Sequence, residues 1–287
     1  FCLLIMLPYA KRIVITGASG FIGKACVKYL NLNGHEVLRA GRSQSDEIFC
    51  DLSEPKSCLA LGQVSDIDAI IHLGAHIGWD GSSLEQMYAP NILSSAIFSN
   101  IAYSKNALLV FSSAAIIAGA HSEIIADQSP LSPDIPYAQS KVLAEECIRA
   151  SGASALILRI GGVYGLNGPK HLGLNRVIDE AIHGIAPTIY GDGSGKRNYI
   201  FVDDLAALIG SALQGNKQGV HVVAGPETLT IHEMMQAVCS AFGIKSGPVW
   251  HSGDSSRSQI LNSSPDFTGE TPFAESLEAI KRHALLS

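Results

Sequence analysis

Apolar runs and helical periodicities alternate along the first half of the chain. "RIVITG" (12–17) is a β-branched run stopping at glycine, the pattern of a buried strand. "FIGKACVKYLNLNG" follows with apolar residues at helical spacing and closes on Gly34. "HEVLRAG" (35–41) predicts a second strand, "DAIIHLGA" (68–75) a third and "ALLVFSSA" (107–114) a fourth. Between the last two, "LEQMYAPNILSSAIFSNIAYSK" is broadly helical, with Pro90 early in it. "PYAQSKVLAEECIRASG" predicts another helix and "ALILRIGGVYG" another strand. These strands are apolar throughout rather than alternating, so both their faces are covered. That is the signature of a parallel sheet wound by helices on both sides.

After Gly165 the pattern loosens. "NRVIDEAIHG", "DDLAALIGSALQG" and "TIHEMMQAVCSAFG" read as helices, and "GVHVVAG" as a strand. "PTIYGDGSGKRNYIFV" reads as a hairpin-like pair around a glycine-rich turn. Residues 245–270 are rich in Ser, Gly and Pro and read as loop, before a last helix, "FAESLEAIKRHALL". The fold class is α/β: a doubly wound parallel sheet with a smaller C-terminal α/β lobe. The main domain is placed at 11–165, and 166–287 is mainly the lobe, with segments returning to the core.

Composition narrows the function classes. Of 287 residues, 47% are hydrophobic and 16% charged, which fits a core-rich globular chain. The net charge is −6 and no Lys/Arg-rich run occurs, so no nucleic-acid surface is expected. The six cysteines form no CxxC pair and no Cys/His cluster, so reduced thiols in the cytoplasm are expected and no metal. The first residues, "FCLLIMLPYAKR", form an apolar run that stops at Pro8, too short to span a membrane. Residues 1–10 are treated as a leader of uncertain origin, with Met6 a candidate start, and no membrane partner is expected.

"TGASGFIG" places Gly17, Gly20 and Gly23 between a strand and a helix. Gly17 permits a tight turn, Gly20 lets backbone approach a pyrophosphate, and Gly23 lets the helix sit against the sheet. The strand–turn–helix context that such a motif requires is present. The GxxGxxG spacing resembles the short-chain dehydrogenase/reductase superfamily. More narrowly, it resembles the extended group that includes nucleotide-sugar epimerases and dehydratases, with a Rossmann-like fold. The resemblance continues in "CDLSE", in "DAIIHLGA", in Asn91, in "GDGSGKRNYIFVDDLA" and in "GETPFAESLEAIK". It implies a cofactor set of Gly17, Ser19, Gly20, Phe21, Ile22 and Gly23 in the turn, with Asp51 and Leu52 facing the adenine. Leu73, Gly74, Ala75 and Asn91 complete that side.

"PYAQSK" supplies Tyr137 and Lys141, matching the family's YxxxK. On a helix this spacing puts both side chains on one face. An ammonium near the phenol favours the phenolate, so Tyr137 can exchange a proton with a substrate alcohol or carbonyl. The family's lysine also binds the nicotinamide ribose, which puts both residues in the cofactor set. The third catalytic group should be a hydroxyl at the end of the fourth strand. Counting back from Gly119 puts Ala114 in that slot, whereas strand register puts Ser113 there. Register is followed here, because loop lengths after a strand vary. Ser113 is therefore assigned to catalysis and to the substrate.

The resemblance also places Arg197 on the substrate's diphosphate, where a guanidinium donates paired N–H bonds. The bland alternative pairs it with Asp203 or Asp204. Asn175 is a second substrate candidate, and Tyr164 is read as structural. For the cofactor, the family's NAD-preferring members end the second strand with an acid. Here Gly41 fills that slot with Arg42 beside it, which suits the 2′-phosphate of NADP, and Arg39 is a weaker partner. NADP points to net reduction, so a NADPH-dependent keto-sugar nucleotide reductase is expected. Two alternatives stay open: an epimerase with tightly bound NAD, and a non-catalytic nucleotide-binding sensor or scaffold. Dehydration is disfavoured because Ala114 and Ala115 stand where a dehydratase carries Asp-Glu. A homodimer through the segments 88–104 and 137–150 is implied by the resemblance, with Leu143 and Ile148 as contact candidates.

Overall fold

A computed structural model describes residues 10–78 and 81–285. The predicted leader lies outside the described residues except for Ala10. The chain divides into two compact units. One comprises the chain up to Ser113 with Ile135–Ile157 and Ile209–Gly219; the other comprises Ala114–Asp134, Leu158–Leu208 and the chain from Val220 onward.

The main sheet has seven strands: β1 (Arg12–Thr16), β2 (Glu36–Gly41), β3 (Ile48–Phe49), β4 (Ala69–His72), β5 (Leu108–Ala114), β6 (Ala155–Ile160) and β7 (Gly219–Val223). Their order is β7-β6-β5-β4-β1-β2-β3. β1 pairs in parallel with both β2 and β4, and β3 and β5 continue outward in parallel. The chain therefore winds one way through β2 and β3, then crosses back to start again at β4. In such a sheet the crevice at the carboxyl ends of the two strands flanking the reversal is where a ligand can enter. The strands have the apolar character expected of buried ones: Ile13, Val14, Ile15, Ile70, Ile71, Leu109 and Val110 are all fully buried.

Helix α1 (Phe21–Leu32) follows the glycine turn, and its Tyr29 ring lies against Gly210, where a Cβ would come within 2.4 Å of it. Helices α2 (Ser94–Ser104) and α3 (Pro136–Ser151) pack against one another. The segment before α2 is a short helix, Leu84–Met87, and then a π turn, Tyr88–Leu93. The wider turn holds Pro90, which has no N–H to give an α-helical ladder. Ile148 is buried within its own unit, which removes it from any dimer contact, whereas Leu143 is exposed.

The second unit departs from the sequence reading in two places. The stretch 187–202 is not a hairpin. Thr188–Tyr190 pairs in parallel with Val249–His251, Lys196–Arg197 with Leu229–Thr230, and Ile200–Phe201 with Val163–Tyr164. The segment 245–270 is likewise not all loop, since Ile260–Asn262 pairs with Ile124–Ala126. Both misreadings have one cause. These strands of two or three residues are fixed by distant partners, and local periodicity carries no sign of that. A small core of Ala115, Ala118, Ile125, Val222, Ala224 and Leu261 holds this part together.

The described cysteines are free thiols, and no cluster of three or more metal-ligating side chains occurs among the described residues. Among them, too, no helix is long and apolar enough to cross a membrane.

Candidate active site

The glycine turn is built as a backbone cradle. Gly17 has φ +71°, and a Cβ there would lie 2.6 Å from Gly74 N. On Gly23 a Cβ would lie 2.1 Å from the Gly17 carbonyl oxygen. Neither position admits a side chain, so the turn stays bare and close-packed. Gly20 caps α1 without any side-chain hydrogen bond, and the first turn of α1 carries no acidic residue. By contrast, the helices starting after Ser83 and Thr230 both have complete capping boxes. The N–H groups of α1 are thus left for an anion, and the cradle fits a dinucleotide pyrophosphate. Ser19 and Gly20 are exposed at the turn, with Phe21 and Ile22 half-buried behind them. The backbone of Leu73, Gly74 and Ala75 runs along it: Leu73 N–H donates to the Thr16 carbonyl at 3.2 Å. Leu52 packs on Gly74, where a Cβ would be 2.8 Å from its methyl group.

On α3, Tyr137 is half-buried and Lys141 is 1% exposed. The lysine Nζ donates to the Ser112 carbonyl at 2.7 Å and stands 5.7 Å from the Tyr137 ring centroid, on the face the spacing predicts. The electrostatics differ from expectation. Burial pushes the Tyr137 phenol up to about 12 and the Lys141 ammonium down to about 7, with Glu145 opposing the latter. The cause at Tyr137 is removal from water, and the Lys141 amine is itself desolvated and turned to a carbonyl. At neutral pH the resting Tyr137 is a protonated phenol.

Ser113 stands at the end of β5, where strand register puts it, and its hydroxyl is engaged inside the protein. Its hydroxyl donates to the buried carboxylate of Glu145 at 2.6 Å, and the same carboxylate receives Arg149 at 2.6 Å. Strand alternation puts Ser112 on the opposite face, where it is half-buried and donates to the His72 carbonyl at 3.2 Å.

A buried hydrogen-bond chain joins the cradle to α3. Thr16 Oγ1 lies 2.7 Å from His72 Nδ1, and His72 Nε2 lies 3.1 Å from Ser95 Oγ. Ser95 gives its proton to the Asn91 carbonyl at 2.6 Å, so it can only accept from His72. His72 is therefore the Nε2–H tautomer, and its Nδ1 accepts from Thr16. Burial, with Lys141 nearby, holds the imidazole down at about 3, which keeps it neutral. Asn91 continues the chain: its amide donates to the His76 carbonyl at 2.8 Å and to Ser140 Oγ at 2.9 Å, and its oxygen accepts His76 N–H at 2.7 Å. Ser140 bonds the Tyr137 carbonyl at 2.8 Å.

In the second unit, Arg197 donates to the carbonyls of Lys196 (2.8 Å) and Arg257, and Arg257 reaches His121 Nδ1. Arg197 also bonds the Tyr199 phenol. Asp204, the candidate partner for Arg197, instead accepts from Thr271 N–H and Oγ1 at 2.8 and 2.5 Å. Neither arginine is paired with a carboxylate among the described residues. Arg197 thus binds the main chain of Arg257, and guanidinium groups with no paired carboxylate can hold an anion such as a diphosphate.

A family model described as the NAD dependent epimerase/dehydratase family matches residues 13–225. The chain belongs to that family. The match runs from β1 past the Tyr137–Lys141 pair to the end of the main sheet, so this epimerase/dehydratase-family enzyme carries the family's cofactor-binding architecture. A putative UDP-glucose 4-epimerase of Methanocaldococcus jannaschii is 26% identical over 94% of this chain and 96% of its own. The 2-alkyl-3-oxoalkanoate reductase of Stenotrophomonas maltophilia is 27% identical over 81% and 76% respectively. Among solved structures, UDP-N-acetylglucosamine 4-epimerase from Bacillus cereus superposes with a TM-score of 0.82 at 24% identity, covering 96% of this chain and 99% of its own.

Several predicted site residues have other work. The Ser113 hydroxyl is given to Glu145. Asn91 has both amide donors and its oxygen engaged by His76 and Ser140, so it braces the backbone on this side of the cradle. Asn175 is buried: its oxygen accepts Gly165 N–H at 3.1 Å and its amide donates to the carbonyls of Val163 (3.1 Å) and Pro169 (3.4 Å). These bonds shape the loop at 163–169. Arg42 is exposed and 3.8 Å from Asp51, and Arg39 is held by Glu47 at 2.9 Å. Tyr164 is structural, its hydroxyl 2.7 Å from Ser276. Sequence reasoning missed Arg257 and His72. A lone arginine in a Ser/Gly-rich segment was the available signal for the first, and a histidine inside an apolar strand for the second.

Proposed function

We propose that this chain is a nucleotide-sugar epimerase that keeps NAD bound through the reaction cycle. The observation that carries this reading is the near end-to-end match with the putative UDP-glucose 4-epimerase of M. jannaschii. The bare glycine cradle and the Tyr137–Lys141 pair support it. Bound NAD supplies a hydride acceptor that becomes the donor for the return step. Tyr137 Oη is the atom that exchanges a proton with the sugar hydroxyl; it takes the proton up as the phenolate, a form that the positive charge of a bound nicotinamide would favour over the phenol of the resting site. Lys141, anchored on the Ser112 carbonyl, orients that phenol. The Thr16–His72–Ser95–Asn91 chain holds α3 in register with the cradle. Arg197 and Arg257 hold the diphosphate of the substrate, and Tyr199 steadies Arg197.

The expectation of a NADPH-dependent reductase rested on Arg42. That arginine lies beside Asp51, so its charge is partly answered within the protein. One relative, the oxoalkanoate reductase, keeps a reductase as the second reading. The nucleotide that co-purifies with the protein separates the two. Near-stoichiometric NAD+ or NADH in the acid extract is expected; an empty protein that fills only with NADPH would support the reductase. Assembly as a homodimer is part of this proposal, with the exposed Leu143 face of α3 as its candidate contact.

A further inference from the structure

The second strand of this chain lacks the acid that would meet the adenosine ribose, yet the space is not empty of charge. β2 ends at Gly41, one residue beyond the pairing of Ala40 with Thr16 and so beside the glycine turn. A Cβ built on Gly41 would lie 2.6 Å from Asp46 Oδ2 and 3.3 Å from Asp46 Cγ. The carboxylate of Asp46 therefore occupies the space that a side chain at position 41 would fill.

A tight turn puts it there. Asp46 N–H donates to the Ser43 carbonyl at 3.0 Å, and Ser43 N–H donates back to Asp46 Oδ2 at 2.8 Å. The two arginines near this carboxylate are each held chiefly by another acid, although Arg39 also feels the Asp46 charge. Arg39 is gripped by Glu47 through Nη2 at 2.9 Å and Nε at 3.2 Å, and Arg42 faces Asp51 at 3.8 Å. Three carboxylates and two guanidinium groups leave this rim with one excess negative charge. A ribose diol donates two O–H groups and is well matched to a carboxylate. A 2′-phosphate brings a second negative charge to the same place and is repelled.

We propose that Asp46, folded back onto Gly41, is the residue that selects NAD over NADP by accepting the adenosine ribose hydroxyls. The glycine at position 41 is what makes room for it. This deepens the NAD-dependent reading above and rests on it. It also reverses the meaning of the Gly41–Arg42 pair: the missing acid is supplied from five residues further along the chain.

The test is calorimetric titration of NAD+ and of NADP+, separately and without substrate, into the wild type, Asp46→Asn and the double variant Gly41→Asp/Asp46→Ala, in which truncation at 46 clears the space beside position 41. Asn keeps the acceptor for Ser43 N–H, so the turn should survive; thermal melting checks this. The wild type is expected to bind NAD+ more tightly than NADP+. Asp46→Asn should lower that preference by about tenfold or more, the loss of one charge-assisted hydrogen bond. The double variant, with a carboxylate restored at the strand end, should recover it. A wild type that prefers NAD+ while Asp46→Asn keeps the same ratio overturns the role of Asp46 and leaves the NAD reading standing. A wild type that prefers NADP+ overturns the NAD reading itself.

Discussion

The Ser113 hydroxyl and the Glu145 carboxylate meet at 2.6 Å inside the protein. The contact ties the end of β5 to α3, and we assign Ser113 to that support rather than to the chemistry. Ser113→Ala is expected to keep kcat within about threefold of the wild type and to lower stability by about 1–2 kcal/mol, the cost of a lost bond to a charged group. Steady-state kinetics and urea unfolding check this. A hundredfold fall in kcat at unchanged stability would return Ser113 to the catalytic set.

Lys141 gives a pH signature in stability. Its value is about 7 in the folded protein against 10.5 in the free side chain. Between these values the unfolded chain holds a proton that the folded chain has released. Folding therefore becomes more favourable as pH rises through that window, by up to about 1.4 kcal/mol per unit. The Tyr137 phenol works the other way. Its folded value of about 12 exceeds the free 10, so its contribution is complete below 10 and is lost as pH rises through 12. Urea unfolding at about pH 7.5 and 9.5 should show the wild type gaining stability relative to Lys141→Met. Equal changes in both proteins would mean that Lys141 stays charged when buried.

His72 titrates in the acid range. Its folded value of about 3 lies below the free 6.5, so its stabilising contribution is full above 6.5 and is lost as pH falls toward 3. The groups facing it are Thr16, Ser95, the rings of Phe98 and Phe111, and the charge of Lys141. His72→Asn should flatten the acid side of the stability profile. Nitrogen NMR should show Nε2 carrying the proton at neutral pH; protonated Nδ1 would break the hydrogen-bond chain as drawn.

The legible part of this protein was the part written in local pattern. Buried strands such as Ile13–Ile15 and the glycine turn announce themselves through apolar runs and fixed spacings, and YxxxK places two side chains on one helix face. What escaped was decided by through-space partners. Ser113 and Ala114 are one residue apart, and only the direction of the Ser113 hydroxyl toward Glu145 settles which face each occupies. Asp46 fills a slot belonging to position 41, which no residue-by-residue alignment reveals. The strand Thr188–Tyr190 exists because Val249–His251 pairs with it.

The arginine pair gives a binding prediction for the proposed substrate. Arg197→Ala and Arg257→Ala should each raise KM for a nucleotide diphosphate sugar by about 10- to 100-fold, as expected for loss of a charge-assisted contact. NAD+ affinity should be unchanged in both, because neither side chain lies in the cofactor-binding unit. Parallel kinetics and calorimetry measure the two effects. A loss of NAD+ affinity equal to the rise in KM would contradict the assignment.

The most direct test of the epimerase account is turnover without added reductant. Purified protein is incubated with UDP-glucose or UDP-N-acetylglucosamine, and the sugar nucleotides are separated by chromatography. The expected result is interconversion of C4 epimers with no net change in bound NAD, abolished in Tyr137→Phe. Stoichiometric consumption of NADPH by a keto substrate, with no epimer formed from any nucleotide sugar, would contradict it.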